Sequence, residues 1–190
     1  MAKLLPFRSV NEYDIVNQFA LEGTGEAGLL VSISAGNMDE QHGWDFTNSP
    51  GAQFNRISSF TYDVKTKVRP SLSGEAKNVV LGFTQFNVAI WDENGEKYQY
   101  YKQKATENNV ILSGKAMPVI TKGLLTLTSG AYIGTPAIGS VIRPSNTVAG
   151  AVDVVSPALS GLNKDQVFGK VIGTGSKHGG YIMVLFDTNV

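Results

Sequence analysis

The sequence contains no cysteine. That removes disulfide frameworks, thiolate metal sites and cysteine nucleophiles together, and nothing in the chain asks for an oxidising compartment. Charge is scarce as well: 17% of residues are Asp, Glu, Lys or Arg, and 16 cationic residues balance 16 anionic ones. With no basic surplus there is no field to gather nucleic acid or an anionic membrane surface, so neither is expected as a partner. No apolar run approaches the 18 or so residues that a spanning helix needs. Pro6 and Arg8 interrupt the apolar start, so Met1–Arg8 does not read as a leader, and a soluble product of the cytosol is expected. The chain also lacks an Asn-x-Ser/Thr acceptor, since Asn48 is followed by Ser49 and Pro50.

Signatures of catalysis are missing too. No Gly-x-Ser-x-Gly elbow occurs. Gly23-Thr-Gly-Glu-Ala-Gly28 is a literal G-x-G-x-x-G, yet it does not stand between a strand and a helix, which reads as a flexible turn. Gly173-Thr-Gly-Ser-Lys-His-Gly-Gly180 lacks the Gly-Lys-Ser/Thr ending of a phosphate loop and leads into a β-type run. The two histidines, His42 and His178, are far apart in sequence. Asp39, Glu40, His42 and Asp45 crowd one segment without a known ligand spacing and read as a solvated polar loop. No catalytic, cofactor or metal site is expected, and the chain is not expected to be an enzyme.

What is present is β chemistry. Hydrophobic residues make up 42% of the 190, enough for one core that buries roughly 70% of the unfolded surface. Twenty-one glycines punctuate short apolar runs. The C-terminal third is the clearest part: Gly123-Leu-Leu-Thr-Leu-Thr128, Tyr132-Ile-Gly, Pro136-Ala-Ile-Gly-Ser-Val-Ile142, Val167-Phe-Gly-Lys-Val-Ile172 and Tyr181-Ile-Met-Val-Leu-Phe186. The last two flank a Gly-rich connector and predict a hairpin. Tyr181–Phe186 is apolar at both parities, so both faces of that strand are expected to be buried.

Earlier in the chain, Leu29 to Ile33 reads as a strand, and Phe60 to Val68 alternates as a half-exposed strand ended by Pro70. Val79 to Trp91, the Asp92-Glu-Asn-Gly95 turn and Glu96 to Ala105 predict a second hairpin. Ser9-Val-Asn-Glu12 fits a capping box, and Ile15, Val16 and Phe19 sit at helical spacing, which predicts a short helix. Residues 34–56 read as a long loop-rich insertion, and residues 145–162 as an excursion. The expected architecture is all-β: an antiparallel barrel or sandwich with long loops, one short N-terminal helix and an extended N-terminal arm. Residues 1–22 are taken as arm and helix, and 23–190 as a single β-rich domain.

Two groups stand out as binding candidates. Leu4, Leu5, Phe7 and Arg8 form a sticky arm. Tyr98, Tyr100 and Tyr101 place aromatics on both faces of the second hairpin, so at least one points outward unless another layer covers it. Trp44 and Phe46 add aromatics to the long loop.

The opening Leu5-Pro-Phe-Arg-Ser-Val-Asn-Glu-Tyr-Asp-Ile-Val-Asn-Gln-Phe-Ala-Leu21 resembles the start of head decoration (cement) proteins of tailed bacteriophages. Gly134-Thr-Pro-Ala-Ile-Gly139, Val167-Phe-Gly-Lys-Val-Ile172 and Gly180-Tyr-Ile-Met-Val-Leu-Phe186 resemble them as well, whereas residues 34–109 match no pattern of that family. The resemblance implies a β-rich structural virion protein on the outer surface of the capsid. It would bind the major capsid protein, bridge neighbouring subunits and stabilise the shell, commonly as a homotrimer. The arm Leu4, Leu5, Phe7 and Arg8 would then dock on the capsid, and Tyr98, Tyr100 and Tyr101 would form a subunit interface. The alternative is a receptor- or glycan-binding module of a tail or fibre, with Trp44 and the long loops as its surface.

Overall fold

The computed structural model describes residues 4–5, 14–22, 25–35, 67–72, 74–85, 116–176 and 179–188. Twelve strands run in chain order: β1 (Leu4–Leu5), β2 (Ile15–Leu21), β3 (Leu30–Ala35), β4 (Lys67–Pro70), β5 (Val80–Thr84), β6 (Ala116–Ile120), β7 (Lys122–Thr128), β8 (Tyr132–Ile133), β9 (Val141–Pro144), β10 (Val152–Val155), β11 (Gly169–Gly175) and β12 (Tyr181–Asp187). They form a closed five-stranded barrel, β2-β4-β3-β5-β6, and a seven-stranded half-barrel sheet, β1-β7-β12-β11-β9-β10-β8. The all-β expectation holds. Most pairs are antiparallel, but β2 with β4 and β8 with β10 run parallel, which a purely antiparallel plan did not foresee.

The N-terminal helix is not there. Ile15–Leu21 is a barrel strand, antiparallel to β6 and parallel to β4. Its pairing with β6 shifts register between Val16 and Phe19. A bulge inserts an extra residue, so apolar side chains that would recur every second position recur three apart. That spacing imitates a helix. Residues 145–162 are likewise not all excursion, because Val152–Val155 is β10, antiparallel to β9.

The two sheets share one core. Inside the barrel lie Leu21, Leu29, Val31, Val68, Met117 and Val119, all buried, with partly buried Phe19 and Leu81 against them. Alternation sends the neighbouring residues outward: Leu30, Val80, Phe83 and Ile120 leave the barrel and pack against Leu125, Leu127, Ile142, Val152, Val184 and Phe186 of the half-barrel. Phe83 is fully buried at this contact, edge-on to Phe186 (centroids 5.0 Å, 84°) and tilted to Phe168 (6.2 Å, 52°).

Between β6 and β7 the chain crosses from the barrel to the half-barrel at a single residue. β6 ends at Ile120 and β7 begins at Lys122, leaving Thr121 as the joint. Thr121 is buried, its N–H and hydroxyl donate to the Asp14 carbonyl, and its own carbonyl accepts from the N–H and the hydroxyl of Thr188. The Thr188 hydroxyl also reaches the Leu81 carbonyl at 2.7 Å. The N–H, hydroxyl and carbonyl of Thr121 are thereby all occupied, as burial demands.

The expected C-terminal hairpin is present, with β11 and β12 paired from Gly169–Phe186 to Gly175–Tyr181. Burial in β12 is one-sided, however. Ile182, Val184 and Phe186 are buried, while Leu185 is 43% exposed. The expectation of two buried faces fails because among the described residues no layer covers Leu185. The strand expected from Phe60 to Val68 is described only from Lys67, and Pro70 lies within its paired length, opposite Val31. The second hairpin, from Val79 to Ala105, is described only as far as Gln85, with β5 at its start. The insertion 34–56 is described only at 34–35.

One carboxylate clamps the β4–β5 connection. Glu75, its side chain 12% exposed, accepts hydrogen bonds from Ser32 Oγ, from Ser71 Oγ at 2.9 Å and from Arg69 Nη2 at 2.8 Å. Burial pushes its pKa up, but these donors and the Leu72 N–H together outweigh burial and hold it below the ordinary carboxylate value of 4.5. A depressed folded pKa means stability that is fully present above the unfolded pKa and is lost as pH falls through the folded one. Glu75→Gln should therefore cost about 1–3 kcal/mol at pH 7, and the gap to wild type should close at acid pH. Urea midpoints of both proteins at pH 7 and pH 3 check this; an undiminished gap at pH 3 would contradict it.

Candidate docking face

The inner face of the half-barrel is spent on the core, so any binding surface on this sheet lies outside. Directly opposed residues share a face, and the register strings five of them into one outward row. Leu124 on β7 opposes Leu185 on β12, Leu185 opposes Lys170 on β11, Lys170 opposes Val141 on β9, and Val141 opposes Val155 on β10. Four of the five are aliphatic. Leu185 and Lys170 are exposed; Leu124, Val141 and Val155 are half-buried.

A bulge widens the row. The β11–β12 register shifts between Val171 and Gly173, and Ile172 at the shift is 39% exposed. The Gly139 N–H donates to the Val171 carbonyl at 2.9 Å, which holds the turn carrying Ile138 against this part of β11. Ile138 is 75% exposed. Solvent-exposed aliphatics scattered singly need no explanation, but a contiguous set on one sheet face marks a surface that meets something apolar.

Beside the row, β9, β11 and β12 enclose an open groove of about 460 Å³ lined by Val141, Val167, Phe168, Lys170 and Leu185, with Lys122 and Asp187 at its end. Lys122 Nζ lies 2.9 Å from Asp187 Oδ2. That hydrogen bond, with the attraction of the same carboxylate, raises the lysine pKa. Lys170 has no carboxylate partner among the described residues. The groove is therefore apolar-walled, with one positive charge that no carboxylate among the described residues pairs. Farther across the sheet, Arg143 opposes Asp153, with Nη2 and Oδ2 3.6 Å apart.

Of the residues singled out from sequence, Leu4 and Leu5 form β1, opposite Leu127 and Thr126 at the edge of β7. Leu4 is partly buried and packs on the shared core. Phe7 and Arg8 lie outside the described residues, as do Tyr98, Tyr100 and Tyr101, Trp44 and Phe46, and the Asp39–Asp45 segment. Among the described residues, no group of three or more His, Asp or Glu could hold a metal, and no helix is long and apolar enough to cross a membrane. Of Gly23-Thr-Gly-Glu-Ala-Gly28, the described residues 25–28 lie between barrel strands β2 and β3, with a turn at Ala27–Gly28.

Sequence reasoning missed Leu185, Lys170, Val141 and Ile172 as a group, since the pairing of β9 with β11, which brings Val141 beside the β11–β12 hairpin, cannot be read from spacing. One signal was available: a strand apolar at both parities has one face more than a single core consumes.

No family model matches the chain, and neither the curated proteins nor the solved structures contain a significant match.

Proposed function

We propose that this chain is a structural protein of a tailed-phage particle that binds the outside of the capsid shell and bridges neighbouring capsid subunits. The observation that carries the reading is the outward aliphatic row from Leu124 to Val155, on a sheet whose inner face is already committed to the core. The similarity of both chain ends to head decoration proteins supplies the partner. A two-sheet body sharing one core suits a rigid fitting, because little of it has to be ordered on binding.

The mechanism is linkage. A ligand that binds the assembled shell but not its separated subunits stabilises the shell by mass action. Closing three copies around a symmetry axis would multiply weak contacts into a durable attachment, so a homotrimer is the favoured form. β1, the Leu4–Leu5 part of the Leu4, Leu5, Phe7 and Arg8 arm, pairs with β7 and stands at the end of the half-barrel sheet, where a capsid strand could add as a second contact; Tyr98, Tyr100 and Tyr101 remain the proposed subunit interface.

Quantitative mass spectrometry of purified virions should find this chain in a copy number comparable to that of the major capsid protein. A handful of copies per particle would point to a tail or vertex fitting. Absence from particles would discard the reading.

A further inference from the structure

Resting on the shell-binding reading, we propose that the groove between β9, β11 and β12 is the specific contact with the shell. Its occupant is a capsid-protein segment that presents a carboxylate flanked by aliphatic side chains. The argument is charge complementarity inside an apolar frame. Lys122 and Lys170 bring two positive charges to the groove and Asp187 brings one negative. Asp187 is already engaged by Lys122 at 2.9 Å, so among the described residues the charge left without a carboxylate partner is that of Lys170. Lys170 stands in the middle of the outward row, between Leu185 on one side and Val141 on the other.

In the isolated molecule the Lys170 side chain is exposed, its methylenes beside the aliphatic row and its ammonium in water. It serves an interface well. Seating a carboxylate on Lys170 while aliphatic groups cover Leu185 and Val141 excludes water from the pair and strengthens it, and the charge fixes the register of the contact. An acidic segment without aliphatic flanks would leave Leu185, 43% exposed, uncovered. An apolar segment without the acid would bury the ammonium unpaired, at a cost. The groove thus selects both features together.

The test uses the full-length chain and expanded heads of a phage whose genome encodes it, in a co-sedimentation titration. Lys170→Glu and Leu185→Ser are both exposed-site changes, so circular dichroism and thermal melts should match wild type. Each should weaken head binding by about tenfold or more, whereas Lys170→Arg, which keeps the charge, should bind nearly as wild type. Raising salt should weaken wild type and Leu185→Ser by the same factor, since both keep the Lys170 charge, whereas for Lys170→Glu salt should relieve repulsion instead. Wild-type binding with both variants unimpaired would overturn the groove and leave shell binding standing. Failure of wild type itself to sediment with heads would overturn both.

Discussion

Gly82→Ala is expected to destabilise the fold by about 4 kcal/mol or more, lowering Tm by roughly 10 °C. Gly82 sits in β5 with φ +153°, and a Cβ placed there would lie 1.9 Å from the Ile120 carbonyl oxygen and 2.8 Å from its carbon. Those are backbone atoms of the adjoining strand β6, so no side-chain rotation can relieve the overlap; β5 and β6 would have to part where the barrel closes and where the chain turns into the half-barrel. Gly123 is the matched control. Its φ is +141°, equally unsuited to a side chain, but nothing lies within 4 Å of the Cβ it would gain. Gly123→Ala should cost only the backbone strain, about 1–3 kcal/mol. Thermal melts of the two variants separate collision from strain, and equal losses would show that close packing of β5 on β6 is not what requires glycine at 82.

Phe83→Ala should cost about 3–5 kcal/mol, the range for removing a buried aromatic whose cavity cannot collapse. Phe83 leaves the barrel to meet Phe168 and Phe186 of the half-barrel, and it is fully buried. Its loss removes the largest side chain that the barrel contributes to the shared core. Phe83→Leu, which keeps most of the apolar volume, should lose markedly less. In a double-mutant cycle with Phe186→Ala, the double mutant should cost about 0.5–1.5 kcal/mol less than the sum of the singles, because either truncation alone already removes the edge-to-face contact. Urea denaturation monitored by far-ultraviolet circular dichroism measures all four corners. A cost below about 1 kcal/mol for Phe83→Ala would mean that the two sheets hold together without it.

The C-terminal half was the most legible from sequence, and for a physical reason. Two of its pairs, β9 with β10 and β11 with β12, join strands that are neighbours in the chain, so Val167–Ile172, the glycine connector and Tyr181–Phe186 announce a hairpin through local pattern alone. The barrel depends on distant pairings, such as Ile15 with Ile120 and Leu30 with Phe83, that no local pattern encodes. The misread helix has the same origin: the bulge between Val16 and Phe19 is set by the partner strand β6, and in isolation its three-residue spacing is indistinguishable from a helical face. β10 was missed because Val152–Val155 is four residues long between Gly150 and Pro157, and the punctuation outweighed the alternation. The docking row was invisible for a related reason. Apolar surplus in Tyr181–Phe186 was legible, but which residues join Leu185 depends on strand order.

The passage of the chain through Thr121 has a mechanical consequence. β6 and β7 are consecutive lengths of one polypeptide, so tension between barrel and half-barrel is carried covalently along a strand as well as across their shared core. On the half-barrel side, β7 is held by seven consecutive pairings with β12, from Lys122–Asp187 to Thr128–Tyr181. A pull along β7 loads those hydrogen bonds in shear, all at once, instead of peeling them one after another. A protein gripped by its half-barrel and tugged by its barrel would therefore resist as a tether, and yield abruptly when it yields at all.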